Sequence, residues 1–166
     1  MKVWGAWGVL LAALLTLGIW GCRTLYPSPE RLIRKRLTEL AVVACIPLNE
    51  GALSKLAKSQ KLASYFATDA EIEIDLPGRF PQSLSGQTDI MRGAANARNF
   101  LSSLKVEFVD LTVKLAADKQ SAVAHFTVKA DFPGEGTPQV EELQAEFKRI
   151  DHDWLIQRVT NVKTLS

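Results

Sequence analysis

The sequence predicts an α+β fold: an antiparallel sheet with a four-stranded C-terminal meander, wrapped by three helices and preceded by a single N-terminal transmembrane helix. Three observations carry this reading. Residues 105–164 fall into four runs rich in β-branched and aromatic residues, each bounded by turn residues. Residues 28–101 hold three stretches with helical spacing of apolar residues, broken once by a strictly alternating segment. Residues 3–20 contain no charge at all.

The meander is predicted as strands Lys105–Leu115, Ser121–Phe132, Val140–Ile150 and Asp153–Thr164. The turn at Asp151-His152 sets Arg149 near Trp154, Phe147 near Ile156 and Ala145 near Arg158. The Pro133–Pro138 loop sets Phe126 opposite Ala145, and the Ala116–Gln120 loop sets Leu111 opposite Phe126 and Val113 opposite Ala124. Side chains alternate with period 2 and cross-strand neighbours share a face. The inner face is then Val109, Leu111, Val113, Ala124, Phe126, Val128, Leu143, Ala145, Phe147, Trp154 and Ile156. The outer face carries Lys129 against Glu142 and His125 against Glu146. One apolar and one polar face is the pattern of an antiparallel sheet covered on one side.

At the N-terminus, Val3–Trp20 is an uncharged run of eighteen residues, long enough as a helix to cross one hydrocarbon core. Trp4, Trp7 and Trp20 stand where interfacial aromatic belts would place them. The competing reading is a lipoprotein-like signal, with Ile19-Trp20-Gly21-Cys22 as a lipobox and Cys22 as the lipidated residue; Trp20 fits that motif poorly. The expected division is therefore 1–22 anchor, 23–27 linker and 28–166 folded domain. The side of the membrane stays open. Arg23, Arg31, Arg34, Lys35 and Arg36 after the span favour a cytoplasmic domain, whereas a signal anchor or lipoprotein favours an extracytoplasmic one.

Ser28-Pro29-Glu30 reads as an N-cap, a proline at N1 and an acidic first turn. The helix it opens runs to about Cys45, with Ile33, Leu37, Leu40, Ala41 and Ala44 inward. A second helix over 52–66 turns Leu53, Leu56, Ala57, Ala63 and Phe66 inward and exposes Lys55, Lys58 and Lys61. Glu71–Asp75 alternates as a strand, Phe80–Leu84 returns beside it, and Ser85 caps a third helix over 86–101 with Ile90, Ala94, Ala97 and Leu101 inward.

Charge narrows the partners. Residues 1–36 carry six basic residues and one acidic residue; the remainder carries fourteen basic and seventeen acidic. The basicity belongs to the membrane flank, and a slightly acidic domain without a basic stripe is a poor nucleic-acid binder. The two cysteines and two histidines form no cluster, so neither metal nor cofactor is expected. Ser/His/Asp spacing and nucleotide loops are also missing, and no catalytic residue is nominated.

Helix, helix, short hairpin, helix, meander is a particular order. With Tyr65-Phe66-Ala67-Thr68-Asp69-Ala70-Glu71-Ile72, Leu84-Ser85-Gly86-Gln87-Thr88-Asp89-Ile90 and Phe147-Lys148-Arg149-Ile150-Asp151-His152-Asp153-Trp154-Leu155-Ile156, it resembles the nuclear transport factor 2-like, or SnoaL-like, superfamily over about 28–166. The resemblance implies a cone-shaped α+β barrel and a place beside uncharacterised bacterial proteins with an N-terminal membrane segment. The superfamily holds small isomerases, dehydratases and cyclases, and also noncatalytic binding and assembly domains. Its enzymes place an Asp, His or Tyr inside the cone. Here His125 falls outward, His152 in a turn, and Tyr65 at the rim.

The pocket residues nominated by the strand pattern are Arg158, Ala145, Ala124, Phe126, Trp154 and Tyr65. Arg158 shares the inner phase with Trp154 and Ile156, and small Ala124 and Ala145 would leave room beside it. An arginine among apolar walls accepts an anion, unless it pairs with an acid such as Glu107 or Asp75. The expected function is a membrane-tethered, noncatalytic binding or interaction domain for a small anionic or apolar ligand or a protein partner. The alternatives are a small cofactor-free lyase or isomerase, and a scaffold subunit of a membrane complex. The last is similar in layout to the type IV secretion component with one N-terminal span, although that family carries a longer tail before its span.

Overall fold

The computed structural model describes residues 28–74, 82–134 and 136–162. The anchor, Cys22 and the linker expected over 1–27, together with Asp75, lie outside the described residues. Among the described residues no helix is long and apolar enough to cross a membrane.

The elements follow the expected order: α1 (Pro29–Ala44), α2 (Ala52–Ala63), β1 (Phe66–Ile74), β2 (Gln82–Ser85), α3 (Gln87–Phe100), β3 (Lys105–Leu115), β4 (Ser121–Asp131), β5 (Gln139–Ile150) and β6 (Asp153–Asn161). Ser28 caps α1 as anticipated, its Oγ accepting from the Arg31 amide at 3.4 Å. Ser85 does not cap α3. Gly86 holds that position at φ 82°, a left-handed backbone suited to glycine.

The six strands form one sheet in the order β2-β1-β6-β5-β4-β3. It is not wholly antiparallel: β1 joins β6 in parallel, because the chain returns to β1's edge only after passing through α3 and the meander. The hairpins keep Arg149 opposite Trp154, Phe147 opposite Ile156 and Val113 opposite Ala124, as predicted. The β4–β5 pairing slides by two residues, so Ala124 faces Ala145, Phe126 faces Leu143 and His125 faces Gln144 rather than Glu146. A two-residue slide preserves which face each side chain takes.

Two β-bulges do change the faces. In β3, Asp110 at φ 54° lies in an extra-residue irregularity between Val109 and Thr112. Phe108 therefore replaces Val109 against the core, its ring 4.8 Å from that of Phe126. In β6, Gln157 is the extra residue. Ile156 still pairs with Phe147, but Glu146 meets Arg158 and Ala145 meets Val159. One inserted residue inverts every side chain beyond it.

The core joins the α1 stripe Ile33, Leu37 and Leu40 to Ala122, Ala124, Phe126, Leu143, Ala145, Phe147, Trp154, Ile156 and Val159 of the sheet. Two helices depart from their expected orientation. In α2 the buried positions are Ser59 and Ala63, while Leu53, Leu56 and Ala57 face out. In α3, Ala97 is exposed and Arg98 is buried in its place, on the line Ile90, Ala94, Arg98.

Candidate functional site

Five of the six nominated pocket residues converge. Ala124, Phe126, Ala145, Trp154 and Tyr65 all belong to one close-packed cluster, and the two alanines are fully buried. They belong to the core, in one cluster with Phe147, Ile156 and Val159.

Arg158 does not join them. The Gln157 bulge sends it to the outer face, where its Nη2 lies 2.5 Å from Glu71 Oε2 and 3.8 Å from Glu73 Oε1. The acids that pair with it are on β1, not Glu107, which pairs instead with Lys105 at 2.8 Å. The guanidinium is about half exposed, so no buried anion pocket is organised around it.

Tyr65 is buried beside a cleft of about 260 Å³ formed by α1, the end of α2 and the β5–β6 turn. Burial pushes its phenol pKa up, and the neighbouring Glu39 carboxylate adds to that shift. Lys61 stands 5.2 Å over the Tyr65 ring, and Arg36 pairs with Asp153 at the cleft's rim. A shallow groove of about 770 Å³ crosses the outer face, walled by Lys114, Val123, His125, Gln144, Glu146 and Gln157. Among the described residues no three His, Cys, Asp or Glu side chains stand close enough to hold a metal ion.

Sequence reasoning missed the most deeply buried charges. Arg98 Nη1 donates to Glu50 Oε2 at 2.8 Å and to the Cys45 carbonyl at 3.3 Å, and Nη2 donates to the Val43 carbonyl. Lys58 reaches the other Glu50 oxygen at 2.8 Å, and Ser54 Oγ adds a bond at 3.1 Å. Burial alone would raise the Glu50 pKa; the bonds from Lys58 and Arg98 outweigh it and hold the carboxyl below the usual range. The network closes the open carbonyl end of α1 and ties it to α3. Every member is partnered, so it is built for position rather than for chemistry.

What the network leaves outside is the interaction candidate. Leu53 is 85% exposed, Phe100 87% and Leu48 70%, with Leu56 beside Leu53 one turn along α2. Helices α2 and α3 run antiparallel: Gln87 at the start of α3 donates to the Ala63 carbonyl at the end of α2 at 3.1 Å. Phe100 at the other end shares a notch of about 330 Å³ with Leu48 and Lys55. Leu53 and Leu56 thus project from the outer side of α2, and Leu48 and Phe100 from the notch at its start; large apolar side chains left in water mark a binding face.

Comparison with solved structures fixes the fold. A nuclear transport factor 2-like protein with a cystatin-like fold from Novosphingobium aromaticivorans is 18% identical, with 94% of this chain and 90% of that one covered at a TM-score of 0.63. A nuclear transport factor 2-like protein of unknown function from Pseudomonas putida is 12% identical over 79% of this chain and 83% of its own, at 0.62. A provisionally named scytalone dehydratase from N. aromaticivorans is 14% identical over 81% and 83%, at 0.59. No protein-family model matches the sequence, and no curated protein matches it either. The chain has the nuclear transport factor 2-like, cystatin-like fold.

Proposed function

We propose that the protein is a membrane-tethered, noncatalytic binding or interaction domain. The observation that carries this reading is the outward apolar face of α2 with Leu48 and Phe100 beside it, on a domain whose nominated cone residues are packed as core. The tether rests on the uncharged run at 3–20. Alkaline carbonate extraction of native membranes tests it: the full chain stays in the pellet. Release into the supernatant as folded protein overturns the tether.

One observation favours a second reading. The dehydratase name carried by one structural neighbour fits a small cofactor-free lyase, and the buried Tyr65 has the Glu39 carboxylate beside its phenol. Turnover of small hydroxylated carbonyl compounds by the full chain, lost in Tyr65→Phe, would install that reading in place of the first.

A further inference from the structure

The α2 face has an amphipathic arrangement turned inside out. Around the helix, Leu53, Leu56 and Ala57 face outward, Lys61 is exposed at one edge, and Lys55 and Lys58 flank the buried Ser59–Ala63 stripe. The helix carries three lysines and no carboxylate. The nearest acid in sequence, Glu50, is consumed by Arg98 and Lys58 with its side chain 1% exposed. Lys55 and Lys61 have no carboxylate within ion-pair distance among the described residues. Asp131, near Pro47 and Leu48, is the one exposed carboxylate lining the adjoining notch.

From this arrangement we infer that α2, with Leu48 and Phe100, lies against an anionic lipid bilayer. Exposed leucine and phenylalanine side chains enter the headgroup–acyl boundary, and flanking lysines meet phosphate and carboxylate headgroups. Charge narrows the occupant: α2 brings Lys61 to the edge of the apolar face and Lys55 to the notch beside Phe100, with no carboxylate of its own, so a cationic partner would be repelled, and the tether makes an anionic bilayer the surface within reach. Reach allows it. The anchor ends at Cys22, six positions before Ser28, and an extended linker of that length covers about 20 Å. That reach holds Ser28 close to the surface, so α1, about 24 Å long, can lie along it with α2 against the bilayer.

This assignment rests on the tethered reading, and its test separates the two. The full chain is placed, one copy per disc, in lipid nanodiscs containing a diazirine-bearing phosphatidylcholine tracer. Discs are made with phosphatidylcholine alone or enriched in phosphatidylserine, irradiated, and the adducts mapped by mass spectrometry. Adducts within 3–20 report the tether. Adducts at 48–57 and at Phe100 in phosphatidylserine discs report docking, and they fall about fivefold for each of Lys55→Gln and Lys61→Gln. Adducts confined to 3–20 in both lipids overturn the docking and leave the tether standing. Equal labelling of 48–57 with and without phosphatidylserine overturns the anionic assignment. Labelling that disappears when two copies share a disc identifies the face as a contact between chains and overturns it too.

Discussion

Replacing Arg98 with methionine should cost far more than any surface arginine. The guanidinium is 2% exposed and makes three bonds, to Glu50 and to the Val43 and Cys45 carbonyls. Methionine fills much of the volume but leaves the Glu50 carboxylate, itself 1% exposed, with only Lys58 and Ser54. Breaking a buried pair from one side costs about 3–5 kcal/mol, because the surviving charge loses its partner in a poor solvent. The released α1 carbonyls add to this unless water reaches them. By calorimetry on the full chain the melting temperature should fall by roughly 10–15 °C. Arg98→Met/Glu50→Gln should recover part of the loss, since a neutral amide tolerates burial better than an orphaned carboxylate. The pH dependence follows from the same site. Glu50 has a folded-state pKa below its ordinary 4.5. Its contribution is therefore present above about pH 4.5 and drains away as the pH falls through the lowered value. Glu50→Gln should flatten that acid limb. An Arg98→Met loss below about 1 kcal/mol would refute the reasoning, showing that solvent reaches the pair.

The other perturbations sort the two sheet faces and the anchor. Trp154, 2% exposed, should lose about 3–5 kcal/mol on truncation to alanine, measured by urea denaturation; a loss under about 1 kcal/mol would contradict its placement in the core. Arg158→Met should leave the urea midpoint essentially unchanged, because its pairing with Glu71 is half exposed and screened by solvent; a large drop would refute the outward placement of Arg158. Removal of residues 1–24 should leave a folded, soluble domain by circular dichroism and gel filtration; unfolded aggregate would make the apolar run part of the core.

Alternation and turn residues determined much of this protein without any tertiary information. Strand β3 runs over the residues the pattern picked, and the tight Asp151-His152 turn pins Phe147 to Ile156 and Arg149 to Trp154. Ser28 followed by Pro29 announced α1, and the spacing of Ile33, Leu37 and Leu40 named its buried face. These features are local: a cap, a two-residue period and a turn act within a few residues of chain.

What tertiary structure decided depends on contacts far apart in sequence. A bulge adds one residue without an obvious local mark, and Gln157 alone moved Arg158 from the expected interior to an ion pair with Glu71, eighty-seven positions away. The same physics exchanged Val109 for Phe108. Arg98 sits at the i+8 position from Ile90, which was a legible signal; its partners Glu50, Val43 and Cys45 were not, since only the fold brings the end of α3 to the end of α1 and the connection that follows it. Helix α2 gives the sharpest contrast. Its leucine spacing announced an apolar face, but which way that face turns was set by Ser59 and Ala63, small enough for α3 to approach closely. Periodicity reveals that a helix has two faces; only the neighbours that arrive from elsewhere in the chain decide which of them is buried.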